Sequence, residues 1–338
     1  MENYTVTELH MDQCINAPRL MKYDPNKDLE SQRKAMSEKF RELLGIPEVI
    51  KEAKPIVEYI DKSRADYDEI RFKFETEPNF FVPAHLLLPK GTIGSGNKLK
   101  TVICLQGHST GMHISLGVPK FEGDEKTIAG DRDFAIQAVR EGYAAIAMEQ
   151  RCFGELEGKI KSSSAGRCHH PSMQALLLGR TTIGERAYDV GQLINACKEF
   201  PELDLDNIAL MGNSGGGTAT YYTSCVEPRI KAAMPSCAFC TVKDSIFAMH
   251  HCQCNYIPGY LKYFEMQDLA LLIAPRPLII VCGKEDPIFP LHGVQEGYAE
   301  VKQIYERMGA LDNLTLVIGD GGHRFYAPQG WAELAKRF

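Results

Sequence analysis

The run Ile208-Ala-Leu-Met-Gly-Asn-Ser-Gly-Gly-Gly-Thr218 decides how the rest of the chain is read. Its apolar first half predicts a buried strand, and a helix-like segment follows the glycines. Between them, Gly212-Asn213-Ser214-Gly215-Gly216 fits the G-x-S-x-G pattern in its strand–turn–helix setting. The strand would lift Ser214 to the edge of a sheet on a strained turn. Gly212 and Gly216 let strand and helix approach closely, and Gly215 leaves an N–H beside the hydroxyl. The N-terminus of the helix adds a field that favours developing negative charge. A Gly-rich turn with a solvated serine is the plainer alternative; the strand–turn–helix setting favours a nucleophile.

A serine hydroxyl needs a base to take its proton, and the base needs a carboxylate to hold its tautomer. In a parallel sheet such groups belong in loops beyond strand C-termini. The strand predicted at Leu278-Ile-Ile-Val-Cys282 leads into Gly283-Lys-Glu-Asp-Pro-Ile-Phe-Pro290, which offers Asp286. The strand predicted at Leu314–Ile318 leads into Gly319-Asp-Gly-Gly-His-Arg-Phe325, which offers His323. Glu285 and Asp320 are competing carboxylates, Asp286 could merely start an Asp-Pro turn, and His323 could be a surface histidine. The order serine, acid, histidine after the expected strands favours a triad. One oxyanion donor is then the Gly215 N–H. The second comes from Leu105-Gln-Gly-His-Ser-Thr-Gly111, with the His108 N–H expected and Ser109 as the alternative.

Outward from this centre, Ile70, Phe72 and Phe74 alternate with Arg71, Lys73 and Glu75, which predicts a half-buried strand. Phe81–Leu88, Thr101–Leu105, Tyr143–Met148 and Ile230–Met234 read as further strands, and Asp131 as the cap of a helix carrying Phe134, Ala135, Ala138 and Val139. Residues 183–197 give the clearest helical period, followed by the helix bearing Val294, Tyr298, Val301, Tyr305 and Met308. Trp331, Leu334, Ala335 and Phe338 share a face of a final helix. Residues 1–65 read as a helical extension, with Phe40, Leu43, Leu44, Val49 and Ile50 packing on the body. The body at 66–338 contains a cap-like insertion at 237–270, after the sixth strand. Two leading strands, then strands alternating with helices, predict an α/β fold with a mostly parallel, eight-stranded sheet covered on both faces.

The chain has 338 residues and a net charge of -6, which argues against a nucleic-acid partner. No apolar run approaches about 18 residues, so no membrane partner is expected. The first ten residues lack a basic start and an apolar core, so no secretory signal is read there. Eleven cysteines without an export signal suggest a reducing, cytoplasmic compartment, with Cys104, Cys197 and Cys282 acting as small core hydrophobes.

With these residues in place, the chain resembles the serine α/β-hydrolases, and most of all their acetyl xylan esterase and dienelactone-hydrolase-like branch. The resemblance rests on Phe81-Val-Pro-Ala-His-Leu-Leu-Leu-Pro89, Leu105-Gln-Gly-His108, Gln150-Arg-Cys-Phe-Gly-Glu155, Gly179-Arg-Thr-Thr-Ile-Gly-Glu-Arg186 with Asp189, the Ser214 turn, and Ala274-Pro-Arg-Pro-Leu278 ahead of Asp286. It implies an α/β-hydrolase fold, a Ser214–His323–Asp286 triad, no metal and no organic cofactor. Three departures stand out. Gln106-Gly107 replaces the usual His-Gly, Cys152 stands where glycine is common, and Ser214 stands where dienelactone hydrolases carry a cysteine.

Other polar clusters have plainer roles open to them. Cys237-x-x-Cys240 with His250, His251, Cys252 and Cys254 has metal-like composition, but the spacing matches no standard zinc pattern, and packing under the insertion is expected. Cys168-His169-His170 reads as a solvated loop, with His169 able to reach substrate. Arg151 and Arg180 could bind an acidic substrate or form buried ion pairs. Gln106, Arg151 and His169 are the candidate substrate contacts. The expected activity is hydrolysis of small acyl esters, with acetyl on a carbohydrate favoured and a small-molecule ester as partner; homo-oligomerisation stays open. A prolyl-oligopeptidase-like peptidase is the enzymatic rival, although 65 leading residues are too few for a propeller. The rival of another class is an inactive hydrolase-fold binding protein, against which Ser214, Asp286 and His323 all speak.

Overall fold

A computed structural model describes residues 4–47, 52–158 and 167–338. The positions expected of Val49 and Ile50 lie outside the described residues. Nine strands form one sheet: β1 (Pro55–Asp61), β2 (Tyr67–Glu77), β3 (Phe80–Pro89), β4 (Leu99–Leu105), β5 (Ala144–Met148), β6 (Leu203–Asn213), β7 (Ile230–Ser236), β8 (Leu278–Gly283) and β9 (Leu314–Gly319). Their order is β1-β2-β3-β5-β4-β6-β7-β8-β9. The three pairings from β1 to β5 are antiparallel and the five from β5 to β9 are parallel.

The central strands are buried because side chains on both faces are covered. On β4, Val102 and Cys104 join a cluster with Phe134, Ala138, Trp331 and Leu334, from helices α4 (Phe134–Arg140) and α10 (Ala327–Arg337). Ile103 and Leu105 point the other way, toward Val190, Leu193, Ile194 and Tyr221, from α6 (Thr182–Ala196) and α7 (Gly215–Val226), with Val294 and Val301 of α9 (Leu291–Arg307) in the same cluster. A period of two with apolar residues at both phases is what a doubly covered strand requires. The remaining helices are α1 (Val6–Ile15), α2 (Leu29–Leu44), α3 (Asp124–Ile128), α5 (His169–Leu177) and the single turn α8 (Tyr260–Tyr263). Among the described residues, no helix is long and apolar enough to cross a membrane.

Two expectations are corrected. The leading residues are not wholly helical, since β1 adds a ninth strand antiparallel to β2. Ile56, Val57, Tyr59 and Ile60 on this edge strand are all exposed, so burial imposed no alternation on it. The cap of α4 is Asp133, not Asp131. Asp131 has φ 57 and pairs instead with Arg324 at 2.7 Å. The helical part of the arm docks as expected. Met36, Phe40 and Leu44 of α2 are buried, and the Phe40 ring meets Tyr222 and Phe264. The 237–270 segment is built mainly of short 3-10 turns, and the turn that ends it, Met266–Leu272, is core.

Candidate active site

Register brings the C-terminal ends of β6 to β9 level. Asn213 pairs with Ser236, Ser236 with Val281, and Gly283 with Gly319. Ser214 follows β6 at φ 56 and ψ -126, a conformation that is strained for any residue with a Cβ. Its N–H is held by Ser236 O at 2.9 Å. A methyl on Gly212 would lie 2.6 Å from the carbonyls of Gly216 and Leu105, and one on Gly216 would lie 2.6 Å from Gln106 O. Both positions therefore require glycine, since backbone crowds them from β4 and the helix.

Asp286 and His323 sit on loops joined backbone to backbone. Lys284 N donates to Gly319 O at 2.9 Å and Glu285 N to Gly321 O at 2.7 Å. Asp286 Oδ2 lies 2.8 Å from His323 Nδ1, while its Oδ1 accepts from Ile288 N and Phe289 N at 2.9 and 3.2 Å. Burial alone would raise the Asp286 carboxyl; the bond to His323, the imidazole charge and the two amides outweigh it and hold the carboxyl below its usual value. The rivals Glu285 and Asp320 are exposed. The imidazole stacks on Phe289 at 6.0 Å and 16°, and the His323 carbonyl accepts from Arg132 Nη2 at 3.0 Å. With Nδ1 bonded to the carboxylate, Nε2 is the nitrogen left for a substrate or nucleophile. Among the described residues, Ser214 Oγ makes no hydrogen bond to that ring.

The loop after β4 packs directly on the elbow. The His108 ring covers Gly215 so closely that a methyl there would lie 2.7 Å from its Cε1. Gly107 faces Asn213 O and the Ser214 Cβ. Among the described residues, no acceptor takes the N–H of Gly215 or of His108.

The three substrate candidates have different surroundings. Gln106 is turned inward: Nε2 donates to Ser115 Oγ at 2.9 Å and Arg132 O at 2.7 Å, and its backbone carbonyl accepts from Gln150 Nε2. Arg151 is committed to Asp189 at 2.7 and 2.8 Å and Glu77 at 2.8 Å, and lies over the Phe80 ring. Those anions answer its charge, the buried ion pair being one of the two roles open to it. Arg180 is likewise paired with Glu77 at 2.7 Å. His169 opens α5, and its buried Nδ1 has no partner among the described residues.

Three neighbours of this site were not among the expected site residues. Phe289 supports the histidine, and its position three residues after Asp286 is the only local signal. His251 stands edge-on to both Phe289 and His108, and burial lowers it to about 4, with the charges of His108 and His323 adding to the effect. Cys237, at φ 44, has its sulfur within 4.8 Å of ligand atoms of Asp286 and His323. A cavity of about 490 Å³ lies beside the elbow and is lined by His108, Ser109, Phe153, Cys168, His250 and Cys252, among others.

Sheet order, elbow and loop placement are those of an α/β-hydrolase. The chain belongs to the Abhydrolase family, which it matches over residues 11–314. A curated relative, "Putative hydrolase YtaP" of Bacillus subtilis (strain 168), is 26% identical over 194 residues. That match covers 56% of this chain and 62% of the relative, less than two thirds of its length. Among solved structures, a "putative acetyl xylan esterase" from Bacteroides fragilis NCTC 9343 superposes with a TM-score of 0.77 at 18% identity, covering 94% of this chain and 83% of that one. A glucuronoyl esterase from Solibacter usitatus gives 0.68 at 12% identity, covering 96% and 99%. At these identities the likeness is one of fold.

Proposed function

We propose that the protein is a serine carboxylic-ester hydrolase working through an acyl-enzyme on Ser214. The observation that carries this reading is the 2.8 Å bond between His323 Nδ1 and the buried Asp286, on loops level with a serine held at φ 56. His323 Nε2 takes the Ser214 proton as Oγ attacks the ester carbonyl. The N–H groups of Gly215 and His108 hold the oxyanion, each typically worth about 3 kcal/mol of barrier. The tetrahedral intermediate collapses, and His323 returns the proton to the leaving alcohol. Water, activated by the same imidazole, then releases the acid and restores Ser214. Asp286 keeps the imidazole in the productive tautomer and balances its transient charge.

Small acyl groups are the proposed substrates, acetyl esters of carbohydrates first. The fold neighbours named acetyl xylan esterase and glucuronoyl esterase support that choice by analogy alone. Eleven unpaired cysteines fit a cytoplasmic setting. The test is kcat/KM on p-nitrophenyl esters from acetate to octanoate, for wild type and Ser214→Ala side by side. The reading predicts a preference for acetate and loss of activity on all esters in the variant. Equal rates in the variant would refute it.

A further inference from the structure

Beside the elbow, three segments distant in sequence converge on one point, where Cys168 and Cys254 are buried and Cys252 is half-buried. His108 comes from the loop after β4, Cys168 from the turn before α5, and Cys252 and Cys254 from the segment after β7. One ligand atom from each of the four lies within 4.8 Å of all the others. His108 Nε2 is 3.1 Å from Cys254 Sγ, which is 3.3 Å from Cys252 Sγ. In a tetrahedral zinc site with Zn–S near 2.3 Å, neighbouring sulfurs stand about 3.8 Å apart, which is more than the 3.3 Å between the Cys252 and Cys254 sulfurs and less than the 4.8 Å that bounds the set.

The electrostatics of the surroundings ask for an anion at this point. Arg186 is fully buried (0% exposed) against the Phe153 ring at 4.3 Å. Its hydrogen-bond partners among the described residues are Arg151 O at 2.7 Å, Cys254 Sγ at 3.4 Å and Cys168 Sγ at 3.8 Å. No carboxylate among the described residues pairs with it. A buried guanidinium facing neutral thiols would be an uncompensated charge. Zinc bound by three thiolates and a neutral imidazole carries one net negative charge, which Arg186 answers.

We propose that His108, Cys168, Cys252 and Cys254 form a structural zinc site that fastens the oxyanion loop to the segment after β7. On binding, three Cys S–H groups lose their protons to solvent and three Zn–S bonds form, with His108 Nε2 as the fourth donor. Four protein ligands leave no open position, so the metal is a staple and not a Lewis acid for the ester. Soft thiolates with one imidazole in this geometry select zinc over calcium or magnesium. The staple has a definite target. His108 Nε2 faces the sulfurs while its Cε1 and Nδ1 lie against Gly215, so the metal would fix the loop that carries the His108 N–H. Cys152, buried behind Cys168 at φ 76, is not one of the four.

The test is metal analysis of the protein purified under reducing conditions without added metal, followed by cobalt exchange of the same sample. The site predicts about one zinc per chain, and thiolate-to-cobalt charge-transfer bands with tetrahedral ligand-field bands after exchange. Cys254→Ser should lose most of the zinc, whereas Cys197→Ser, buried elsewhere in the core, should keep it. Ser214→Ala should also keep it, so metal content and ester hydrolysis fail independently. Wild type holding no zinc and failing to take up one equivalent when titrated would overturn the site. So would a disulfide among Cys168, Cys252 and Cys254 in the reduced protein, or iron in place of zinc.

Discussion

On the β8–β9 flank of Ser214, backbone is laid on backbone. The loops carrying Asp286 and His323 exchange amide–carbonyl bonds at 2.7 and 2.9 Å, and the elbow admits no side chain at Gly212 or Gly216. On the β4–β5 flank the loops are held by buried polar side chains. Glu149 accepts from the N–H of Met112 and Glu155, Gln106 ties to Ser115 and Arg132 O, and His108 meets the thiols. The first flank is fixed by chain geometry, so its tolerance is steric. The second is fixed by charge and protonation, so it responds to pH and metal. A preorganised site needs both, one for the acid–base pair and one for the oxyanion donors.

The largest effect that separates the flanks belongs to Asp286→Asn. It leaves the backbone zipper intact and removes the tautomer control of His323, so kcat on p-nitrophenyl acetate should fall about 10⁴-fold with the fold unchanged. A fall under tenfold would mean that geometry alone holds the histidine. Next comes Gly216→Ala, whose methyl meets the carbonyls of Leu105 and Gln106. Neither can move without shifting β4, and denaturant unfolding should show a loss of about 3 kcal/mol.

The third prediction probes the other flank by pH. Glu149 is 1% exposed, and burial raises its carboxyl from 4.5 to about 7. The folded state then binds more protons than the unfolded chain between those values, so this group makes stability fall as pH rises from 4.5 to about 7. The charged form costs on the order of 3 kcal/mol above that range, and nothing below it. Glu149→Gln should flatten this slope in unfolding measured from pH 4.5 to 8. An unchanged slope would show that the Glu149 carboxyl does not titrate there. The smallest effect lies outside both flanks: Thr5→Ala breaks the capping box with Glu8 at the start of the exposed α1. It should cost under about 1 kcal/mol and leave kcat unaltered.

The backbone-held flank was also the one legible in the sequence. Ser214, Asp286 and His323 each follow an apolar strand within a few residues, so one-dimensional order carries three-dimensional placement. The strands at Thr101–Leu105 and Leu278–Cys282 and the helix near 183–197 were visible for a related reason: burial writes a period into the sequence. β1 was not, because an exposed edge carries no alternation and Pro55 reads as punctuation. The side-chain-held flank leaves no comparable trace. Cys168 joins Cys252 and Cys254 only through the fold, and His108, singled out for its N–H, also presents its ring to those thiols. Asp189, Glu77 and Glu185 surround Arg151 from two separate elements, which spacing along the chain does not reveal.

The acyl-enzyme itself is the most direct test of the central claim. Wild type mixed with p-nitrophenyl acetate and quenched in acid within the first turnovers should carry one acetyl group, located by peptide mass analysis on Ser214. Ser214→Ala should carry none. An acetyl group found on another residue, or rapid turnover with no adduct on wild type and undiminished hydrolysis by Ser214→Ala, would contradict the account.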